Sequence, residues 1–212
     1  YGGKAIPVQF ESLEELMNNI HKLCIKDNLQ FIHPFEDPNV AVGHGTLGLE
    51  LLIEKSVINT VLVPVGSGVF IAGMATALKS MDPSIRVVGV VPKEVSCYAN
   101  SFHHRKSIVP DNPEQSICDC LRAPFVTQSV LEQGLKYVDE LVKVPEDLII
   151  EAMQVLWKSH RLLVEPGACV AAAAAMNKLV QFKNGENVIS IITGSNLALD
   201  KALGYLELHQ DL

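Results

Sequence analysis

Two stretches constrain the fold of this chain more than any others. "TVLVPV" (60–65) and "IRVVGVVP" (85–92) are almost purely apolar and rich in β-branched residues. A strand with one wet face alternates polar and apolar residues, whereas a run without alternation has to be covered on both faces, as in the parallel sheets of α/β proteins. Between the two runs lie "GSG" at 66–68 and then "VFIAGMATALKSM", which reads as a helix. The unit is therefore strand, glycine turn, helix, strand.

The rest of the chain keeps the alternation. "KAIPVQF" (4–10) is expected to be a short strand, and Ser12 with Glu15 makes an S-x-x-E capping box that opens a helix to about Lys26. "LQFIHPF" (29–35) reads as a strand stopped by Pro34, "EDPNVAVGHGT" (36–46) as a turn-rich connector, and "LGLELLIEK" (47–55) as an amphipathic helix. The stretch from about Cys97 to Gln128 is ambiguous. "KYVDELVKV" (136–144) follows, then a helix from about Glu146 to Ser159, an alanine-rich helix through "ACVAAAAAMNKLV" (168–180) and a strand "NVISIIT" (187–193). Such alternation predicts a three-layer α/β fold, a mostly parallel sheet flanked by helices. The 212 residues suffice for a substantial core.

Composition narrows the function. Hydrophobic residues make up 48% and charged residues 19%, yet no apolar run approaches the roughly 20 residues that span a bilayer. "YGGKAIPVQFESLEE" lacks the apolar core of a secretory signal. No membrane partner is expected. The net charge is −7 and the basic cluster is "HHRK" at 103–106, which argues against a nucleic-acid partner. Five cysteines, of which only Cys118 and Cys120 lie close together, argue against a disulfide framework and for a cytoplasmic location. No second Cys/His pair at ligand spacing accompanies that pair, so both are read as packing residues and no metal is expected.

In parallel sheets, ligands bind beyond the carboxyl ends of the strands. Gly66, Ser67 and Gly68 occupy one such end, where closely approaching N–H groups and a helix N-terminus suit a phosphate. A tight strand-to-helix turn would use the same residues. No G-K-[ST] follows, and Ile71 breaks the G-x-G-x-x-G spacing, so two common nucleotide motifs are excluded. "IITGSN" places Thr193, Gly194, Ser195 and Asn196 after the last strand, with a hydroxyl where a ligand ring could be met. "VEPGACVAAAAAM" puts Glu165 and Pro166 ahead of a helix of tiny side chains. Taken singly, Thr193 is a turn residue, Glu165 a charge matched to the helix dipole, and the alanines close packing.

Together, these segments resemble the fold-type II pyridoxal-phosphate enzymes, with a tryptophan synthase β-subunit-like fold, and among them the threonine/serine dehydratase and serine racemase group. "FIHPFEDPNVAVGHGTLGLEL" is similar to the family stretch ending in G-Q-G-T, and "TVLVPVGSGVFIAG" to its strand and tetraglycine loop. "SICDCLRAPFVTQSVLEQGLKYVDELVKVPEDLIIEAM" looks like the later core, "LVEPGACVAAAAAM" like E-P-A-G-A, and "ITGSN" like S-G-G-N. The resemblance implies pyridoxal 5'-phosphate as cofactor, with its phosphate on the N–H groups of Gly66, Ser67, Gly68 and Val69. It further implies that Thr193 faces the pyridine nitrogen, with Glu165 and Asn196 beside the cofactor. A neutral hydroxyl cannot hold that nitrogen protonated, which suits β-elimination from serine or threonine better than transamination.

The chain departs from the family pattern at several places. Ser67 and Val69 stand at the second and fourth glycines, His44 at the glutamine of G-Q-G-T, "EPGA" inverts "EPAG", and Val91 occupies a place where related enzymes with a cation site often have glutamate. An apolar side chain cannot ligate a hard cation. None of the 13 lysines lies in the S-x-K-x-R-G-like context of the family's Schiff-base lysine. "YGGKAIPVQ" resembles a family segment that follows that lysine, so the expectation is the C-terminal two-thirds of such an enzyme. Residues 1–40 would be a remnant of the smaller lobe and 41–212 the large cofactor-binding domain. The resemblance implies an amino-acid substrate, a homodimer and an ammonia-lyase, inactive as this isolated chain. The alternatives are a shortened, catalytically dead homologue acting as a binding protein, or a serine racemase-like relative.

Overall fold

The computed structural model describes residues 2–55, 57–95, 97–110 and 115–207. In chain order the elements are α1 (Leu13–Asp27), α2 (Pro38–Glu54), β1 (Thr60–Pro64), α3 (Val69–Met81), β2 (Arg86–Pro92), α4 (Cys97–His104), a 3-10 turn (Asp119–Leu121), α5 (Gln128–Tyr137), β3 (Glu140–Val144), α6 (Glu146–His160), α7 (Pro166–Met176), β4 (Val188–Ser190) and α8 (Leu199–Glu207). The strands form one parallel sheet in the order β3-β2-β1-β4. The expected three-layer architecture is what the chain adopts.

The two apolar runs are buried on both sides, and the pleat sends alternate residues to two separate cores. Val61, Val63, Val87 and Val91 pack with α3, α4 and α5. Leu62, Val88 and Val90 face the opposite layer with residues of α6 and α7. Gly89 sits at the crowded centre: a Cβ there would run into Leu141, Ile71 and Val65.

Several expected elements formed as read. Ser12 caps α1 by accepting the Glu15 N–H at 3.2 Å, and the Glu15 carboxylate receives the Glu11 N–H at 2.8 Å. Others did not. "KAIPVQF" and "LQFIHPF" contain no strand; at 34–36 the chain turns instead, with His33 Nδ1 accepting the N–H groups of Phe35 and Glu36, both at 3.1 Å. Strand propensity is realised only where a ladder partner exists, and these segments lie apart from the four-stranded sheet. The last strand is shorter than "NVISIIT", although pairing continues through the Ile191 N–H to the Leu62 carbonyl at 3.0 Å. The ambiguous stretch holds α4, the 3-10 turn and an irregular connection, and 111–114 fall outside the described residues. Helix α8 had no counterpart in the sequence reading.

The largest correction concerns 36–46, which is not a connector. Asp37 accepts the Asn39 N–H at 2.8 Å, Pro38 occupies the first turn, and α2 runs on through Gly43, Gly45 and Gly48. Gly45 and Gly48 are a contact surface more than a pair of breakers. A Cβ at Gly45 would stand 3.1 Å from the Gly73 carbonyl oxygen, one at Gly48 would stand 3.2 Å from that of Met74, and one at Gly73 would overlap the carbonyl of Ala41. Helices α2 and α3 thus meet backbone to backbone. Among the described residues, no helix is long and apolar enough to cross a membrane.

This packing makes a paired prediction. Gly73→Ala should lower stability by about 2 kcal/mol, because the two backbones must move apart. Gly43→Ala, where a Cβ would meet nothing within 4 Å, should raise it by about 0.5 to 1 kcal/mol through helix propensity alone. Urea unfolding of the two variants checks both signs; equal effects would contradict the contact.

Candidate functional site

The order β3-β2-β1-β4 places the first crossover to one side of β1 and the return of the last strand on the other. At such a switch point the loops leaving adjacent strands diverge and open a crevice beyond their carboxyl ends. A cleft of about 580 Å³ lies there, between the turn after β1 and the loop after β4. It is lined by Gly66, Ser67, Gly68, Phe70, Glu165, Thr193 and Gly194, with His44, Cys120 and Leu121 closing its sides.

The turn is shaped from beneath. Gly68 caps α3 with φ +91°, a left-handed conformation that side chains rarely adopt, and offers no side-chain cap bond. A Cβ on Gly68 would overlap the Tyr98 ring, and one on Gly66 would stand 3.0 Å from the Leu121 Cα. The small size of both residues is thus required on the protein side. The first N–H groups of α3 have no intrahelical partner, since the ladder begins with the Ala72 N–H to the Gly68 carbonyl at 2.9 Å. The Ser67 hydroxyl lies 3.5 Å from the Val69 nitrogen, too far to bind it firmly.

Tyr98, at the start of α4, supports this turn while leaving its own hydroxyl buried without a hydrogen-bond partner. Its ring stacks on Phe102 at 6.1 Å, and burial pushes the phenol well above its usual range.

The second wall comes from the N-terminus of α7. Glu165 is its N-cap residue, and the Glu165 N–H bonds to the Gly194 carbonyl at 3.1 Å, which ties α7 to the loop after β4. A Cβ on Gly194 would overlap the Glu165 carboxylate, so a side chain there would have to displace that carboxylate. Burial raises the Glu165 pKa, neighbouring Asp119 adds to the shift, and a bond from Cys120 opposes it. Cys120 presents part of its surface to solvent, yet its sulfur packs where a Cβ of Gly167 would lie. That contact gives the inverted "EPGA" a physical reason: glycine stands opposite the thiol. Burial, then Glu165 and Asp119, push the Cys120 thiol up to about 11.

Of the seven residues expected from the sequence, Gly66, Ser67, Gly68, Glu165 and Thr193 line the cleft. Val69 does not: its side chain is 5% exposed and belongs to the core on the far side of α3, so only its backbone adjoins the turn. Asn196 lies further along an exposed loop and is not part of the wall. Sequence reading did not place His44, Phe70, Cys120 or Leu121 there. His44 carried a signal as a departure from G-Q-G-T, and Cys120 carried one in the C-x-C pair; Phe70 and Leu121 carried none. Cys118, by contrast, is a buried packing residue, as read.

The donor set suits a phosphorylated ring. Unpartnered N–H groups at a helix start suit a phosphate, and the Thr193 hydroxyl, which has no hydrogen-bond partner among the described residues, stands across the cleft. The volume lies within the range of ordinary cofactor pockets.

Comparison with known proteins follows the same line. Residues 1–194 match the model of the "Pyridoxal-phosphate dependent enzyme" family. The catabolic L-threonine dehydratase of Staphylococcus aureus is 33% identical over 209 residues, 98% of this chain and 60% of that protein. The serine racemase of maize superposes with a TM-score of 0.85 at 28% identity, covering 98% of this chain and 64% of that one. The processed threonine deaminase isoform 2 of Solanum lycopersicum gives 0.83 at 28% identity, covering 95% and 59%. The chain spans about 60% of the length of the curated relatives it matches.

Two outcomes test the site. Tyr98→Phe should keep or raise stability, by up to about 1 kcal/mol, since it removes a polar group that has lost water without gaining a partner; a loss of 1 kcal/mol or more would show that the hydroxyl is bonded. Alkylation of Cys120 should be slow at about pH 8 and accelerate as pH rises toward the thiol pKa of about 11, as followed by peptide mass spectrometry. A rate already at its plateau at about pH 8 would contradict the burial of the sulfur.

Proposed function

We infer the function from one premise: the chain belongs to the pyridoxal-phosphate dependent enzyme family. We propose that residues 41–212 form the large cofactor-binding domain of a threonine/serine dehydratase, an ammonia-lyase that converts L-threonine or L-serine to a 2-oxo acid and ammonia, and that residues 1–40 belong to a smaller lobe. The single observation that carries this reading is the meeting of the glycine turn, the Glu165 end of α7 and Thr193 at one switch-point cleft.

Each wall has a task. The N–H groups from Gly66 to Phe70, with the dipole of α3, hold the cofactor phosphate. The Thr193 hydroxyl would donate one neutral hydrogen bond to the pyridine nitrogen. The bound cofactor supplies the electron sink that acidifies the α-carbon of the amino acid. Because a neutral hydroxyl brings no negative charge to hold that nitrogen protonated, Thr193 would leave the cofactor a moderate electron sink, which favours loss of a β-hydroxyl over transamination. Glu165, whose pKa is raised by burial, lines the same cleft.

No lysine is among the cleft-lining residues. Covalent capture of the cofactor in this family needs one, so the chain by itself is proposed to bind pyridoxal phosphate without a covalent bond and to release no ammonia. The choice between threonine and serine belongs to this same proposal, supported by the names of the S. aureus, Solanum lycopersicum and maize relatives, and the homodimer that the resemblance implies is proposed with it.

The test is to saturate the purified chain with pyridoxal phosphate, reduce with borohydride, and map labelled lysines by mass spectrometry while assaying ammonia release from serine and threonine. The expected result is saturable binding competed by inorganic phosphate, with no lysine labelled stoichiometrically. One fully labelled lysine with ammonia release would make the chain a self-sufficient lyase; absence of any binding would remove the cofactor reading. In a form that turns over, Thr193→Asp should slow elimination by about tenfold or more, roughly 1.4 kcal/mol of barrier, and shift the cofactor absorption. Unchanged rate and spectrum would clear Thr193 of its role.

A further inference from the structure

The cleft at the ends of β1 and β4 presents three titratable side chains, His44, Cys120 and Glu165, and no lysine or arginine among its lining residues. Glu165 has the wrong sign for an anion, and Cys120 stays a neutral thiol through the physiological range because its pKa is pushed up to about 11. His44 is the lining side chain that can take a positive charge. Its place is fixed by a close contact between α2 and α3: Gly45, next to it, meets Gly73, and Gly48 meets Met74. That approach brings the imidazole to the first turn of α3, where its ring stands edge-on to Phe70 with centroids 5.1 Å apart. Phe70 is the second residue of α3, so its N–H is among those without an intrahelical partner. Among the described residues no hydrogen bond or ion pair engages the imidazole. Burial alone lowers the His44 pKa, which keeps the ring neutral at pH 7.

Resting on the reading that the turn holds the cofactor phosphate, we infer that His44 is a pH-dependent ligand of that phosphate, supplying the side-chain cation that the glycine turn lacks. A dianion bound at the turn favours the protonated imidazole, so binding draws one proton from solvent onto His44. By linkage, the affinity for a dianion rises as pH falls through the range in which the ring titrates. The groups facing it from the other elements are Glu165, at the start of α7, and Cys120, in the 3-10 turn. Protonation of Glu165 would also favour an anion, and it is separable by substitution. Glutamine, which the related G-Q-G-T segment carries at this place, can donate a neutral hydrogen bond but cannot titrate. Histidine therefore makes cofactor capture sensitive to pH where glutamine would not.

Sulfate is the suitable probe, because it stays a dianion across the range in which phosphate itself changes charge. Amide and imidazole resonances of the isotopically labelled chain are followed by NMR during sulfate titrations between about pH 8 and 5.5. The expected result is shifts at Gly66 to Phe70, an affinity about tenfold higher at the acid end, and a His44 titration curve displaced upward by saturating sulfate. Glu165→Gln should keep the rise, and His44→Gln should bind sulfate with a flat pH profile. Shifts at the turn with no displacement of the His44 curve would overturn the inference and leave the phosphate cradle standing. A rise that survives His44→Gln and vanishes in Glu165→Gln would likewise overturn it. Absence of sulfate shifts at the turn at every pH would overturn the inference together with the reading it rests on.

Discussion

Strand β1 is held from both sides almost to its last residue, and the site depends on that. On one side the Val65 N–H bonds to the Val90 carbonyl at 2.9 Å, and on the other the Ile191 N–H bonds to the Leu62 carbonyl at 3.0 Å. Beyond these bonds the chain has no ladder to follow. The turn at 66–68 therefore begins at a fixed height above the sheet, and the loop after β4 leaves from nearly the same height on the neighbouring strand. Two backbone segments that start side by side and diverge leave a crevice, and the start of α3 opens into it. The position of the cleft follows from strand order and register before any side chain is considered.

Close packing by small residues brings the remaining walls in. Helix α7 is buried from Pro166 to Ala174, and its mostly small side chains let it lie close between the sheet and α6. Its approach sets Glu165 against Gly194, and Gly167 against the Cys120 sulfur. Helix α2 reaches α3 through glycine contacts in the same way and carries His44 to the cleft. At the opposite end of the sheet, Lys79 pairs with Asp139 at 2.7 Å while Asp139 accepts the Val87 N–H, also at 2.7 Å, and Arg86 pairs with Glu140. Polar pairing thus ties the strand starts together, while the cleft opens at the carboxyl ends of β1 and β4.

What the sequence revealed was whatever rests on a local pattern. The unalternating runs at 60–65 and 85–92, the capping box at Ser12 and Glu15, and the alanine run before Met176 each state their structure within a few residues. The chain from 36 to 46 misled because its glycines look like breakers until α3 is seen against them; the Asp37–Pro38 cap was the local sign of a helix start. The segments 4–10 and 29–35 have strand composition but no strand to pair with. In the site, Gly66, Ser67, Gly68, Glu165 and Thr193 were legible because they sit at strand and helix ends, where ligands are met. Val69 was read through its backbone N–H, and at the start of α3 that N–H adjoins the turn while the side chain packs into the core. Phe70 and Leu121 come from opposite sides of the cleft, and only the assembled topology makes them neighbours. Tyr98 was hidden for a further reason: its role is to fill the space below Gly68, which no sequence pattern records.

On the proposed function, the backbone turn at Gly66 to Gly68 and the first turn of α3 form a phosphate cradle. A crystal structure of the chain soaked with pyridoxal phosphate tests it most directly. Phosphate density is expected over that turn, with oxygens at hydrogen-bond distance of about 2.7 to 3.2 Å from N–H groups of the turn and of Phe70, and the pyridine ring directed toward Thr193. Density for the phosphate at another surface, with the turn left without a ligand, would contradict it.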